Sequence, residues 1–298
     1  MEASAVPDIV AAALKAKTDL STKGYAIIHD VISAEQVATA KEYFRNWIAA
    51  NPQVTKTHTK TNPHGIFKFG EAGHQRHAWY LRTLDEVQQP FRTIWDTTDL
   101  TTGFDGSCWM TSDYKGKDRI WTHTDQAPDT QGLTCVQGFV ALTSNEERTL
   151  VVYEGSHLLH EAYMKEKKIT GKKNWLLIDH EYLARIAETK RVLKVSAGSL
   201  VLWDSRTFHQ NQYGQSGEER IVQYICMLPK NRPGNTVAQQ KKRRKYFEER
   251  RTTSHWPYTL NVNGLQPQVY GNKALLLDYS QLTPPDLTEF AEKIERLL

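Results

Sequence analysis

Gly198-Ser199-Leu200-Val201-Leu202-Trp203-Asp204, followed by Ser205-Arg206-Thr207-Phe208-His209, is a short apolar run opened by glycine and closed by a polar turn. A run of this length between turn residues predicts a buried strand that delivers His209 at its end. Upstream, Arg119-Ile120-Trp121-Thr122-His123 is rich in β-branched and aromatic residues, which predicts a second strand leading into His123-Thr124-Asp125. On a strand, residues i and i+2 point to the same face, so His123 and Asp125 converge; on a helix they diverge. Downstream, Arg220-Ile221-Val222-Gln223-Tyr224-Ile225-Cys226-Met227 reads as a third buried strand with a guanidinium at its start.

Two neutral imidazoles and one carboxylate on one face of an octahedral ion leave the opposite face open, the arrangement used by non-haem iron(II) oxygenases. A 2-oxo acid can chelate two of the open positions through its carboxylate and keto oxygen, leaving the third for dioxygen. Arg220 suits the distal carboxylate of 2-oxoglutarate, because a guanidinium offers paired parallel donors that a lysine does not. Taken singly, each residue has a blander account. A His-x-Asp pair is common and serves zinc hydrolases too, an isolated His209 says little, and an isolated Arg220 is an ordinary salt-bridged strand residue. Order, spacing and strand context together favour iron, since a zinc site leaves Arg220 without a role.

With these residues in place, the chain resembles the phytanoyl-CoA dioxygenase-like family of Fe(II)/2-oxoglutarate oxygenases over residues 20–228. The likeness opens with Lys23-Gly24-Tyr25-Ala26-Ile27-Ile28-His29-Asp30-Val31-Ile32-Ser33, an entry strand and turn before a helix. It continues through Phe139-Val140-Ala141-Leu142 and Val151-Val152-Tyr153-Glu154-Gly155-Ser156-His157, where Glu154 stands in place of the family's usual proline. It is closest over Ala197 to Asn211, with Arg220 following.

The resemblance implies a mainly β fold with flanking helices, a double-stranded β-helix (jelly roll, cupin-like). It implies that His123, Asp125 and His209 bind the catalytic Fe(II) and that Arg220 grips the tail of 2-oxoglutarate, helped by Asn211. Thr124 would lie beside the chelating end, Gln137 and Phe139 would line the cosubstrate pocket, and Lys68, within Gly65-Ile66-Phe67-Lys68-Phe69-Gly70, would add a cation near the iron. Barrel-interior packing is the competing account for Gln137 and Phe139, a solvated loop charge for Lys68, and a structural turn for His157. The implied reaction consumes O2, converts 2-oxoglutarate to succinate and carbon dioxide, and hydroxylates a substrate C–H bond. Because related halogenases lack the carboxylate, Asp125 argues against halogenation.

The chain of 298 residues is long enough for one elaborated domain, and no internal repeat or low-complexity linker divides residues 1–298. Cys108, Cys135 and Cys226 are too few and too scattered for a disulfide framework, which points to a reducing compartment. Met1-Glu2-Ala3-Ser4 begins no basic and apolar leader, and no stretch approaches the ~20 apolar residues of a membrane span. A soluble, cytoplasmic protein is expected. Oligomeric state is not legible.

Ser33-Ala34-Glu35-Gln36 is a capping-box pattern opening an amphipathic helix through Val37, Ala40, Tyr43, Phe44 and Trp47, which ends before Asn51-Pro52. Leu84, Val87, Phe91 and Trp95 predict a second helix over about residues 83–95. Residues 51–79, with His58, His64, His74 and His77, look too polar and irregular for a core element and are expected to form a lid loop with solvated histidines. Residues 229–298 are expected to form a helical extension. Its basic cluster, Lys241 to Arg251, could attract phosphate groups, yet interleaved acidic residues favour a salt-bridged, solvated helix. The formal net charge of +4 does not announce a nucleic-acid protein.

Three functions therefore compete: a small-molecule or metabolite hydroxylase, an oxygenase acting on a protein side chain or nucleic-acid base, and a jelly roll that has lost catalysis. The intact ligand set argues against the last. The substrate's identity is set by loops that no spacing rule describes.

Overall fold

The computed structural model describes residues 8–61, 64–114, 118–262 and 264–298. Among them the strands are β1 (Tyr25–Ile28), β2 (Ile66–Phe67), β3 (Leu100–Thr102), β4 (Ser107–Met110), β5 (His123–Thr124), β6 (Val136–Ala141), β7 (Leu150–Tyr153), β8 (Leu176–Leu177), β9 (Lys190–Val192), β10 (Leu200–Asp204), β11 (His209–Asn211) and β12 (Arg220–Pro229). All pair antiparallel, in a larger sheet ordered β1-β10-β6-β12-β4-β2, with β3 also on β12, and a smaller one ordered β8-β5-β11-β7-β9. The chain crosses from one sheet to the other between β10 and β11, so the predicted Gly198–Asp204 strand and His209 belong to different sheets. This is the expected jelly-roll architecture, with sheets that remain open at their edges.

Coverage on both faces explains why the central strands are mostly apolar. Phe139 and Ala141 of β6, Val201 and Trp203 of β10, and Val222 of β12 pack between the sheets against Leu150 and Val152 of β7. Their alternates, Val136, Val140, Leu200, Leu202, Ile221 and Ile225, turn outward into a second core with Phe44, Trp47, Trp79 and Phe91 from the helices. A strand covered on both faces has no solvent side on which to place polar residues.

The helices are α1 (Ile9–Lys23), α2 (Ala34–Ala50), α3 (Pro52–Thr61), α4 (Arg76–Arg82), α5 (Asp85–Trp95), α6 (Ser156–Glu166), α7 (His180–Arg185), α8 (Val237–Glu248) and α9 (Ala291–Glu295), and they contribute more residues than the strands. The predicted capping box opens α2: Gln36 N donates to Ser33 Oγ at 3.1 Å and Ser33 N to Gln36 Oε1 at 2.8 Å. The second predicted helix is α5. Helix α1, which the sequence reading did not single out, is capped by Asp8 and ends on Gly24 in the left-handed region (φ 84°). At Glu154 the proline-free turn is used: its N–H donates to Thr189 O at 2.9 Å, a bond proline lacks.

Two expectations are corrected. The stretch 119–122 joins no ladder, and β5 is only His123–Thr124. Residues 51–79 are not an irregular loop either. Beyond the undescribed positions 62 and 63 they form α3, β2, a 3₁₀ turn at Ala72–His74 and the start of α4. Three of the four histidines are buried, donating through Nε2 to Trp109 O (His58, 2.9 Å) and Arg251 O (His74, 3.0 Å), or bonding Ser107 Oγ (His77, 3.0 Å). Their ring faces pack on Phe67, Phe104 and Phe44. An imidazole that uses one nitrogen in a hydrogen bond can still offer its ring face as a flat apolar surface, which polarity scales miss.

The segment 229–298 is helical only in α8, α9 and short 3₁₀ turns. It is nonetheless part of the core: Leu277, Phe290, Ile294 and Leu297 join the helical cluster. In the basic stretch, Arg243 is buried and bonds Asn235 Oδ1, Pro257 O and Leu298 O. Arg244 pairs with Glu295, Lys245 with Glu249 and Arg250 with Glu71.

Burial pushes His58 down to about 4 and His74 and His77 to about 3. Because these folded values lie below the unfolded value of ~6.5, the unfolded chain binds more protons between about pH 3 and 6.5, and stability falls as pH drops through that window. Asp105, pushed up to about 8 by burial, acts in the opposite sense but as one group against three. The urea midpoint should therefore be lower at pH 5 than at pH 7; an equal or higher midpoint at pH 5 contradicts this account.

Candidate active site

The crossing of the chain builds the site. His209, first residue of β11, pairs directly with His123, first residue of β5, so two imidazoles stand on adjacent strands with ring centroids 4.3 Å apart. Asp125 lies just past β5, its N–H bonded to Ser205 O at 2.9 Å. The same crossover turn thus fixes Asp125 and leads into His209.

Asp125 Oδ2 is 3.6 Å from His123 Nε2 and 3.3 Å from His209 Nε2. The three potential ligand atoms all lie within 4.8 Å of one another. All three residues are buried. His123 Nδ1 donates to Trp121 O at 3.2 Å and His209 Nδ1 to Thr207 O at 2.8 Å. Each carbonyl holds the proton on Nδ1 and aims Nε2 at the common point, the orientation that metal-binding histidines need. Burial pushes the Asp125 carboxyl up, but the attraction of His123 and bonds from His123 and His209 outweigh it and hold the group well below the usual carboxylate range. An ionised carboxylate and two directed imidazoles suit a divalent cation.

Arg220 opens β12 opposite Met110 and is fully buried. Its Nη1 donates to Asn211 Oδ1 at 2.8 Å and contacts Cys108 Sγ at 3.4 Å, and its guanidinium sits 5.3 Å from the Phe139 ring centroid. Nη2 is buried without a partner, and no carboxylate forms an ion pair with Arg220 among the described residues. A buried guanidinium in this state leaves a donor unsatisfied, at a cost that an anion could offset. Asn211 Nδ2 in turn donates to the Tyr224 hydroxyl at 3.1 Å.

A cavity of about 380 Å³ is lined by the triad, Gln137, Asn211, Tyr224 and Lys68 among others; Arg220 does not line it and lies behind Asn211, its hydrogen-bond partner. Gln137 Nε2 donates to Asp125 Oδ2 at 3.1 Å. Phe139, on the same strand face, does not line the cavity and serves the interior and Arg220. Thr124 is also absent from the lining; its hydroxyl donates to Ser205 O at 3.0 Å, tying β5 to the crossover turn. Lys68 is half-buried at the cavity rather than a solvated loop charge, and burial pushes its amine down. His157 lies on α6 with Nε2 donating to Ser21 O at 3.1 Å, a structural role.

Several lining residues were not singled out from sequence. Tyr224 had a readable signal: it stands four residues after Arg220 on β12 and so shares its face. Trp203 lay within the quoted strand without a role. Asp105, Trp175 and His255 had no sequence signal, being brought in by loops.

The fold and donor set define a double-stranded β-helix protein with a two-histidine, one-carboxylate cluster that could hold a metal ion. The chain belongs to the phytanoyl-CoA dioxygenase (PhyH) family of Fe(II)/2-oxoglutarate oxygenases, whose model matches residues 20–222. It is similar to Ava biosynthesis cluster protein O of Aspergillus versicolor, 32% identical over 188 residues, 56% of this chain and 58% of that protein. The match thus spans little more than half of that relative's length. Among solved structures, EctD from S. alaskensis with bound Fe superposes with a TM-score of 0.55 at 16% identity, covering 76% of this chain and 80% of that one. The epimerase SnoN, in complex with Fe3+, alpha ketoglutarate and nogalamycin RO, gives 0.52 at 17% identity, covering 74% and 84%. At these identities the two structures establish the fold.

Removing the partner of Arg220 Nη1 should cost stability even without ligands. Asn211→Leu is expected to lower unfolding free energy by about 1–3 kcal/mol, the usual effect of leaving a buried polar group unpaired. Equilibrium urea denaturation would show it, and an unchanged midpoint would mean the pair carries no weight.

Proposed function

We propose that this protein is an Fe(II)- and 2-oxoglutarate-dependent dioxygenase that hydroxylates a C–H bond of a small-molecule substrate, releasing succinate and CO2. The observation that carries the reading is the convergence of His123, Asp125 and His209 on one cavity, with the unpartnered Nη2 of Arg220 buried behind Asn211, which lines that cavity. His123 and His209 would bind Fe(II) through Nε2 and Asp125 through a carboxylate oxygen. Arg220 would hold the distal carboxylate of 2-oxoglutarate, with Asn211 fixing the guanidinium. When bound, the metal supplies the redox chemistry that couples O2 reduction to oxidation of the 2-oxo acid. The chain's own part is to hold these groups, position the substrate carbon and exclude water.

A small substrate is supported by the cavity, near the lower end of the ~300–1,000 Å³ range of ligand pockets. SnoN, an epimerase, shows that this fold also hosts other outcomes; hydroxylation is our choice because Asp125 completes the ligand set. A macromolecular substrate is less well supported, because Arg243 is buried and Arg244, Lys245 and Arg250 are engaged in ion pairs. No helix among the described residues is long and apolar enough to cross a membrane. We also place the protein inside the cell, on its three free cysteines, and treat residues 1–298 as one domain.

Anaerobic titration with ferrous ion and 2-oxoglutarate should produce a weak visible charge-transfer band that His123→Ala abolishes. A band that survives the substitution would remove His123 from the site. Arg220→Lys should raise the 2-oxoglutarate concentration for half-saturation by about 10–100-fold, as expected for loss of a charged hydrogen bond, with ferrous binding retained. Succinate release across metabolite, lipid-thioester, peptide and nucleic-acid pools would then identify the substrate class.

A further inference from the structure

Beyond the matched region, the chain sends one side chain back to the metal-binding carboxylate. Gln137 Nε2 lies 3.1 Å from Asp125 Oδ2 and 3.0 Å from His255 Nε2. The orientation of that amide follows from the chemistry. An ionised carboxylate accepts hydrogen bonds and donates none, so the amide nitrogen and not the oxygen must face Asp125. One amide hydrogen then points to Asp125 and the other to His255, whose Nε2 must accept it through its lone pair. Because the amide nitrogen can only donate, the imidazole carries its proton on Nδ1 and presents a bare Nε2.

The segment carrying His255 is anchored on both sides. Thr253 N donates to Phe104 O at 2.9 Å and Phe104 N to Thr253 Oγ1 at 3.0 Å. Ser254 N donates to Asn261 O at 2.7 Å and Leu260 N to Trp256 O at 3.2 Å, closing a turn around the histidine. Gly103 has no side chain where this turn crosses it: a Cβ there would stand 2.9 Å from His255 O. The imidazole is therefore a fixed acceptor at the cavity wall.

We propose that His255 is a positioning residue for the metal centre, holding the Gln137 amide so that it orients Asp125. The inference rests on the metal-site reading above. Without the histidine, the amide loses one of its two fixed points and can turn its oxygen toward the carboxylate, loosening the ligand. Outer-layer hydrogen bonds of this kind are worth about 10–100-fold in metal affinity.

The test uses the full-length protein and cobalt(II) alone, read by binding affinity and by the d–d absorption bands, with thermal melting to establish folding. His255→Phe should weaken cobalt binding about tenfold, at the lower end of that range, and shift the bands. His255→Gln, whose side-chain oxygen can accept the same hydrogen bond, should recover most of both. Gln137→Leu should also weaken binding, and His255→Phe should add little on top of it, since both act through one amide. Wild-type affinity and bands in His255→Phe, or a full additive loss in the double variant, would overturn the proposal. If His255→Phe does not fold, wild-type affinity in Gln137→Leu overturns it instead. Wild-type protein that binds no cobalt would sink the metal-site reading itself, and this inference with it.

Discussion

The pairing of β5 with β11 is the constraint on which the site depends. It places His123 and His209 side by side from distant parts of the sequence and sets both Nε2 atoms about one carboxylate oxygen. That pairing is possible because the chain leaves the larger sheet after Asp204, turns through Ser205, and enters the smaller sheet at His209. The turn also accepts the Asp125 N–H and the Thr124 hydroxyl through one carbonyl, Ser205 O. A single crossover thus gathers all three potential ligands, and its polar residues serve the site's geometry more than its chemistry.

A second constraint is the burial of Arg220. The cost of enclosing a guanidinium without a carboxylate is offset only in part by Asn211 and the Phe139 ring. Nη2 keeps the remaining, unmet demand. The same economy of polar groups appears in the supporting layer, where His58, His74 and His77 present ring faces to aromatics while each uses one nitrogen in a hydrogen bond. Such residues fill the layer against β2 and β4, of which Ile66 in β2 reaches the cavity.

Much of this was readable from the sequence. The strands β10 and β12 announced themselves as apolar runs because both of their faces are covered, β6 was reached through the family resemblance, and Ser33 and Gln36 gave the start of α2 because a capping box is a local interaction. The corrections arose where local pattern and tertiary packing disagree. Residues 119–122 have strand-like composition, but beside β11 the Gln210 side chain takes Trp121 N–H and Arg119 O, so no backbone ladder closes there. Residues 51–79 look like a solvated loop because histidine and threonine score as polar, whereas Val54, Phe67, Ala72 and Trp79 pull the segment into the core. Thr124 and Phe139 were placed in the pocket by resemblance, and the structure gives their side chains to a backbone carbonyl and to the interior.

The sequence by itself determined the identities and order of the groups that could bind a metal, the strand character of the segments that carry them, and the guanidinium that follows, because these depend on residue type and on the two-residue repeat of a strand. Only the tertiary structure decided that His209 starts a strand of the opposite sheet, that Arg220 keeps one nitrogen unpartnered, and that Gln137, Asp105 and His255 meet at the same cavity. Those facts depend on which backbone hydrogen bonds close between residues far apart in the chain, and no local spacing encodes that choice.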